Sequence, residues 1–137
     1  MRRPILLDTC ALIWVANNDR LRPDAEAALQ EMVATAGGVA VSPISAWEIG
    51  QLVARGRLRL SAEPSRWFEA TIAGRITLAP MPPHVLVASS YLPGGKLRDP
   101  ADKIIAATAR AFDYRLMTRD GPLLDFAAEG HAQAIAC

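Results

Sequence analysis

Histidine is almost missing from this chain. Only His84 and His131 occur among 137 residues, and neither stands in a recognisable pairing with serine, so both read as surface or core residues and the Ser–His route to catalysis has no equipment. Cysteine is as scarce: Cys10 lies beside an apolar run and Cys137 is the last residue. Two cysteines so placed make neither a disulfide framework nor a zinc spacing, and the expected setting is a reducing cytoplasm. No glycine-rich phosphate loop follows a strand-like run, and there is no internal repeat or low-complexity segment. An excess of one charge is lacking too. Fifteen Lys and Arg against fourteen acids leave a formal net charge of +1, so bulk charge gives no argument for a polyanion partner. Near the start, the apolar stretch "PILL" ends after four residues, too short for a signal peptide or a membrane span, and no membrane association is expected.

What remains is aliphatic. The chain is 51% hydrophobic with only 6% aromatic residues, a composition suited to close-packed helices on a sheet, and its length fits a single domain over 1–137. "PILL" (4–7), "VAVS" (39–42), "ITLA" (76–79), "RLMT" (115–118) and "AQAIA" (132–136) read as strands. Most are apolar throughout, as strands are when helices cover both faces of the sheet. Between them, 22–36, 44–55, 63–73, 83–91, 100–112 and 121–128 read as helices, with Pro23, Ser61, Pro64, Pro82-Pro83 and Asp99-Pro100 marking starts. Alternation of this kind predicts an α/β fold with a mainly parallel five-stranded sheet, whose functional site lies beyond the carboxyl ends of the strands.

Carboxylates stand at those ends. "PILLDT" closes its strand with Asp8, "RLMTRD" runs through Thr118 to Asp120, and "VAVSPISAWEIGQLV" passes into a helix carrying Glu48. In "LRDPADKIIAATARA" a second acid, Asp102, falls in line with Ile105, Ala106 and Ala109, on the face that should meet the core. Each acid alone has an ordinary explanation: Asp8 and Asp99 as helix caps, Asp102 as part of a capping arrangement, Glu48 as a partly exposed helix residue, Asp120 as turn chemistry before Gly121-Pro122. Together they are harder to explain so. One pair of carboxylates at 4 Å costs about 4 kcal/mol at an effective dielectric near 20. The adjacent basic residues, Lys103 and Arg119, are next in sequence and expected to point elsewhere. A hard divalent cation, Mg²⁺ or Mn²⁺, is the better partner for oxygen ligands. Such a cation activates water and stabilises charge on a phosphoryl oxygen, which suits phosphodiester hydrolysis.

The stretches "LLDTCALIW", "VSPISAWEI", "LRDPADKIIAATA" and "LMTRDGPLLDF" resemble the four motif regions of PIN-domain nucleases, most closely the VapC-type toxins of toxin–antitoxin pairs. The resemblance covers nearly the whole chain. It implies a flavodoxin-like α/β/α sandwich, usually homodimeric, acting as a Mg²⁺-dependent endoribonuclease that hydrolyses RNA with a metal-activated water. It implies a cognate antitoxin partner, and as target a structured RNA such as transfer or ribosomal RNA. By the same resemblance Asp8, Glu48 and Asp102 are the core metal-binding acids and Asp120 the fourth, with Thr9 and Thr118 as supporting polar groups. Asp99 competes with Asp102; Asp102 is favoured because the acid just before the "IIAATA" core is the family's usual ligand. Cys10 departs from the pattern, since close relatives often carry histidine after "DT".

Basic residues then gain interest as RNA contacts: Arg55 and Arg57 at the end of the Glu48 helix, and Lys96, Arg98 and Lys103 around the start of the Asp102 helix. Trp14 and Trp47 read as core or dimer-interface residues. Two alternatives compete with a nuclease. An aspartyl-nucleophile phosphatase wants another acid two residues after Asp8, where Cys10 stands. A PIN-like module that only binds RNA or the antitoxin would have no need of so many mutually repelling acids.

Overall fold

In a computed structural model, which describes residues 2–137, five strands form one parallel sheet in the order β3-β2-β1-β4-β5. The chain runs β1 (Ile5–Leu7), α1 (Thr9–Ala16), α2 (Pro23–Val33), β2 (Val39–Val41), α3 (Ile44–Ala54), α4 (Pro64–Ile72) and β3 (Thr77–Leu78). It continues through α5 (Pro83–Ala88), a 3-10 turn (Ser89–Tyr91), α6 (Pro100–Phe112), β4 (Arg115–Thr118), α7 (Gly121–Ala128) and β5 (Gln133–Ala136). All five expected strands are present, and each expected helix is found within a few residues. The 83–91 segment splits into α5 and the 3-10 turn. The addition is α1, which opens immediately after Asp8.

Side chains alternate across the sheet as the pleat requires. Ile5, Leu7, Val39, Val41 and Met117 face one core with α1, α2 and α4, and Ile49 of α3 joins them. Leu6, Ala40 and Leu116 face the other, packed on Ile105, Ala106 and Ala109 of α6 and on Leu123 and Phe126 of α7. The result is an α/β/α sandwich. The central strand is β1, paired in parallel with β2 on one side and β4 on the other. From β1 the chain builds outward to β2 and β3, then returns to lay β4 on the opposite flank. The order therefore reverses between β1 and β4, and in an open parallel sheet the crevice beyond their carboxyl ends is where ligands bind.

Candidate metal centre

Asp8 follows β1 and caps α1. Its Oδ1 accepts the Ala11 N–H at 2.8 Å, and its Oδ2 accepts the Thr118 hydroxyl at 2.5 Å. One carboxylate thus joins the two strands that flank the crevice to the helix that leaves it. Asp120, two residues past β4, caps α7 by accepting the Leu123 N–H at 3.1 Å, while its own N–H donates to the Thr118 oxygen at 2.9 Å. Asp99 caps α6, accepting the Asp102 N–H at 3.1 Å. The ordinary explanations were therefore true as far as they went. Three helix N-termini meet at one place, and their partial positive charge offsets part of the repulsion among the acids.

Glu48 and Asp102 cap nothing. The fully buried residues of α3 are Ser45 and Ile49, and the row Ile44, Glu48, Leu52 lies half-buried along the flank. The Thr9 hydroxyl donates to Glu48 Oε1 and lies 2.8 Å from the Ser45 hydroxyl. Asp102 sits half-buried at the mouth of the stripe that continues inward as Ile105, Ala106 and Ala109. Asp8, Glu48, Asp99, Asp102 and Asp120 line a single cavity of about 350 Å³, together with Thr9, Cys10, Trp14 and Arg119.

The electrostatics follow from that crowding. Burial raises the Asp102 carboxyl to about 8, and the charges of Asp120, Asp99, Glu48 and Asp8 push the same way. Burial also raises Glu48, against the hydrogen bond from Thr9, with Asp99, Asp8 and Asp120 adding to the rise. Asp8 is raised by burial in spite of the Thr118 and Ala11 hydrogen bonds, and Asp120 adds a little. Burial and the same acids lift the Cys10 thiol to about 11, which keeps it protonated and unreactive at neutral pH.

Arg119 corrects one expectation, since it lines the acid cavity rather than pointing away. Yet it neutralises none of the acids. Its guanidinium lies 3.8 Å above the Trp14 ring and donates to the Arg20 carbonyl at 3.2 Å. Among the described residues it joins no salt bridge.

Among the described residues, no three His, Cys, Asp or Glu side chains are drawn together into a ready-made cage for an ion. The donor set still fits Mg²⁺ or Mn²⁺. These ions take carboxylate oxygens directly or through the waters they keep, and the cavity is large enough for a hydrated ion among oxygen donors. A lone cation would also resolve the desolvated, mutually repelling carboxylates that no side chain resolves.

Other candidates lie away from the cavity. Lys96 pairs with Glu129 at 3.4 Å, and Arg98 and Lys103 flank a small depression with Ser89 and Ser90. Arg55 and Arg57 are exposed beyond the far end of α3, about 10 Å along the helix axis from Glu48. His84 and His131 rest against Phe112 and Phe126, and neither lines the acid cavity. Cys10 and Cys137 are free thiols. Sequence reasoning missed Ser45, although a small polar residue three positions before Glu48 on an otherwise apolar helix was a readable signal. Trp14, expected in the core or an interface, does pack partly buried against the core, and it also lines the cavity.

The family model for the PIN domain matches residues 5–129, and that span holds all five acids. The chain belongs to the PIN-domain family. Ribonuclease VapC22 of Mycobacterium tuberculosis is 32% identical over 117 residues, 85% of this chain and 86% of that protein. Solved structures share the fold of this PIN domain. VapBC2 from Rickettsia felis, bound to a DNA fragment from its promoter, has a TM-score of 0.67 at 16% identity, covering 96% of this chain and 98% of that one. A toxin–antitoxin complex from Klebsiella pneumoniae has a TM-score of 0.61 at 23% identity, covering 96% and 95%. No helix among the described residues is long and apolar enough to cross a membrane.

Proposed function

We propose that this PIN domain is a Mg²⁺-dependent endoribonuclease, the toxin of a toxin–antitoxin pair, and that residues 1–137 work as one domain. The observation that carries the reading is the crevice between β1 and β4, where five carboxylates converge, unpaired with any cationic side chain, with Asp8, Glu48 and Asp102 raised in pKa. A ribonuclease among the relatives and a toxin–antitoxin complex among the structural neighbours point the same way.

Asp8, Glu48 and Asp102 hold the cation, and Asp120 contributes directly or through water. Asp99 is left as a cap, being exposed and committed to the Asp102 N–H. Thr118 fixes Asp8, while Thr9 fixes Glu48 and is itself held by Ser45. Mg²⁺ or Mn²⁺ supplies a water of lowered pKa and charge stabilisation at a phosphoryl oxygen. The carboxylates orient that chemistry, and the substrate is structured RNA, transfer or ribosomal, whose phosphates reach Arg98 and Lys103 beside the α6 start. The apolar side chains left exposed at Trp47, Leu86, Val87 and Tyr91 support a homodimer, and the two free cysteines fit a reducing cytoplasm.

The test is cleavage of total RNA with Mg²⁺, with Mn²⁺ and in EDTA, by the parent and by Asp8→Asn and Asp102→Asn. The parent should cut only with the cation, and each variant should lose about 10²-fold or more. Undiminished cleavage in EDTA, or by both variants, refutes the reading.

A further inference from the structure

Next to the acid cavity lies a second, open depression of about 490 Å³ with the opposite charge. Arg20, Arg22 and Arg119 border it over a floor of Leu21, Leu124, Ala136 and Cys137, and no acidic side chain lines it. Arg119 borders both depressions, so the positive groove opens directly beside the negative one.

We propose that this groove is a phosphate-backbone subsite, which seats the RNA phosphates flanking the bond presented to the acids. The ligand's identity rests on the ribonuclease reading above; the groove's charge and position do not.

Several features make the groove a built feature rather than a scatter of surface charge. The segment carrying Arg20 and Arg22 is pinned at both sides: Arg22 N–H donates to the Cys137 carbonyl at 3.2 Å, and the Arg20 carbonyl accepts from Arg119. Arg119 is held flat on Trp14. A guanidinium has five N–H donors in a rigid fork suited to phosphate, and stacking on an aromatic ring fixes its plane without using them. The nearby acids are turned aside. Asp19 and Glu26 border a different depression with Val15 and Gln30, and the Glu26 carboxylate is occupied by the Leu21 N–H at 3.0 Å. Among the described residues none of the three arginines is in a salt bridge. A site lined by five acids repels a polyanion, and three unpaired guanidinia at its edge supply the opposing attraction.

The experiment is salt-dependent binding of a fluorescein-labelled RNA hairpin, followed by anisotropy in EDTA, so that no cleavage enters the readout. Removing two phosphate contacts in an Arg20→Gln, Arg22→Gln variant should reduce the slope of log affinity against log salt by about 1.5, and weaken binding about tenfold near 0.1 M salt. An Arg2→Gln, Arg3→Gln variant loses the same net charge from residues paired with Glu31 and Asp113, and should keep the parent slope. An unchanged slope in the groove variant overturns the proposal, as does an equal loss in the control, which would mean bulk charge. Lost affinity for polyglutamate with RNA binding intact also overturns it, and assigns the groove to an acidic protein segment. A parent that cleaves no RNA with Mg²⁺ refutes the nuclease reading without touching this slope.

Discussion

Replacing Asp102 with asparagine should stabilise the cation-free protein, increasingly as pH rises above about 4. The folded chain holds this carboxyl at about 8 against an ordinary 3.8. Between those values the folded state binds a proton that the unfolded state has released. Stability therefore falls as pH rises from about 4 to about 8 and levels off beyond. At ~1.4 kcal/mol for each tenfold change in proton affinity, the full effect is about 6 kcal/mol. Asp102 is only half-buried, and solvent screening reduces this to about 1–3 kcal/mol. For a domain of this size that is a rise of about 3–10 °C in the unfolding midpoint. Thermal unfolding in EDTA is the assay, with parent and variant converging near pH 4 and separating by about pH 8.5. Adding Mg²⁺ should reverse the order, because the cation stabilises the parent by mass action and the variant much less. A parent that equals or exceeds the variant at alkaline pH in EDTA refutes the claim that burial and the neighbouring acids disfavour a charged Asp102.

Two further outcomes follow from named contacts. Thr9→Val removes the hydroxyl that holds Glu48 and meets Ser45 at nearly constant volume, and should weaken Mn²⁺ binding about 10–100-fold by calorimetry; unchanged affinity would show that Glu48 needs no such support. Gly38→Ala should cost about 2–3 kcal/mol or more in urea unfolding, because a Cβ there meets the Met32 carbonyl oxygen at 2.0 Å; a neutral result would mean the α2–β2 turn yields freely.

Much of this architecture was legible because burial and secondary structure coincide. The strands around Leu6, Ala40 and Leu116 are apolar on both faces because both faces are covered, and α6 announced itself by Asp99, Pro100 and a clean apolar stripe. Helix α1 was not legible. "TCALIWVA" is apolar all round, so it has no period to read, and only the Asp8 cap betrays it. The acids were found because each broke a local pattern, Asp8 and Asp120 just past a strand, Glu48 and Asp102 on an apolar helix face. Arg119 could not be placed, since its position depends on Trp14 and on Arg20, which lies 99 residues away in the chain. Adjacency in sequence said only where its backbone goes.

The bond from Thr118 to Asp8 spans 110 residues, and β4 is the strand that sits beside β1. During synthesis, everything through α6 can emerge while Asp8 still lacks that neighbour and Asp120 does not yet exist. A nascent or truncated chain stopping short of residue 115 therefore carries four of the five acids without the wall that gathers them. The proposed site is assembled only after β4 and Asp120 have been made and β4 has docked beside β1.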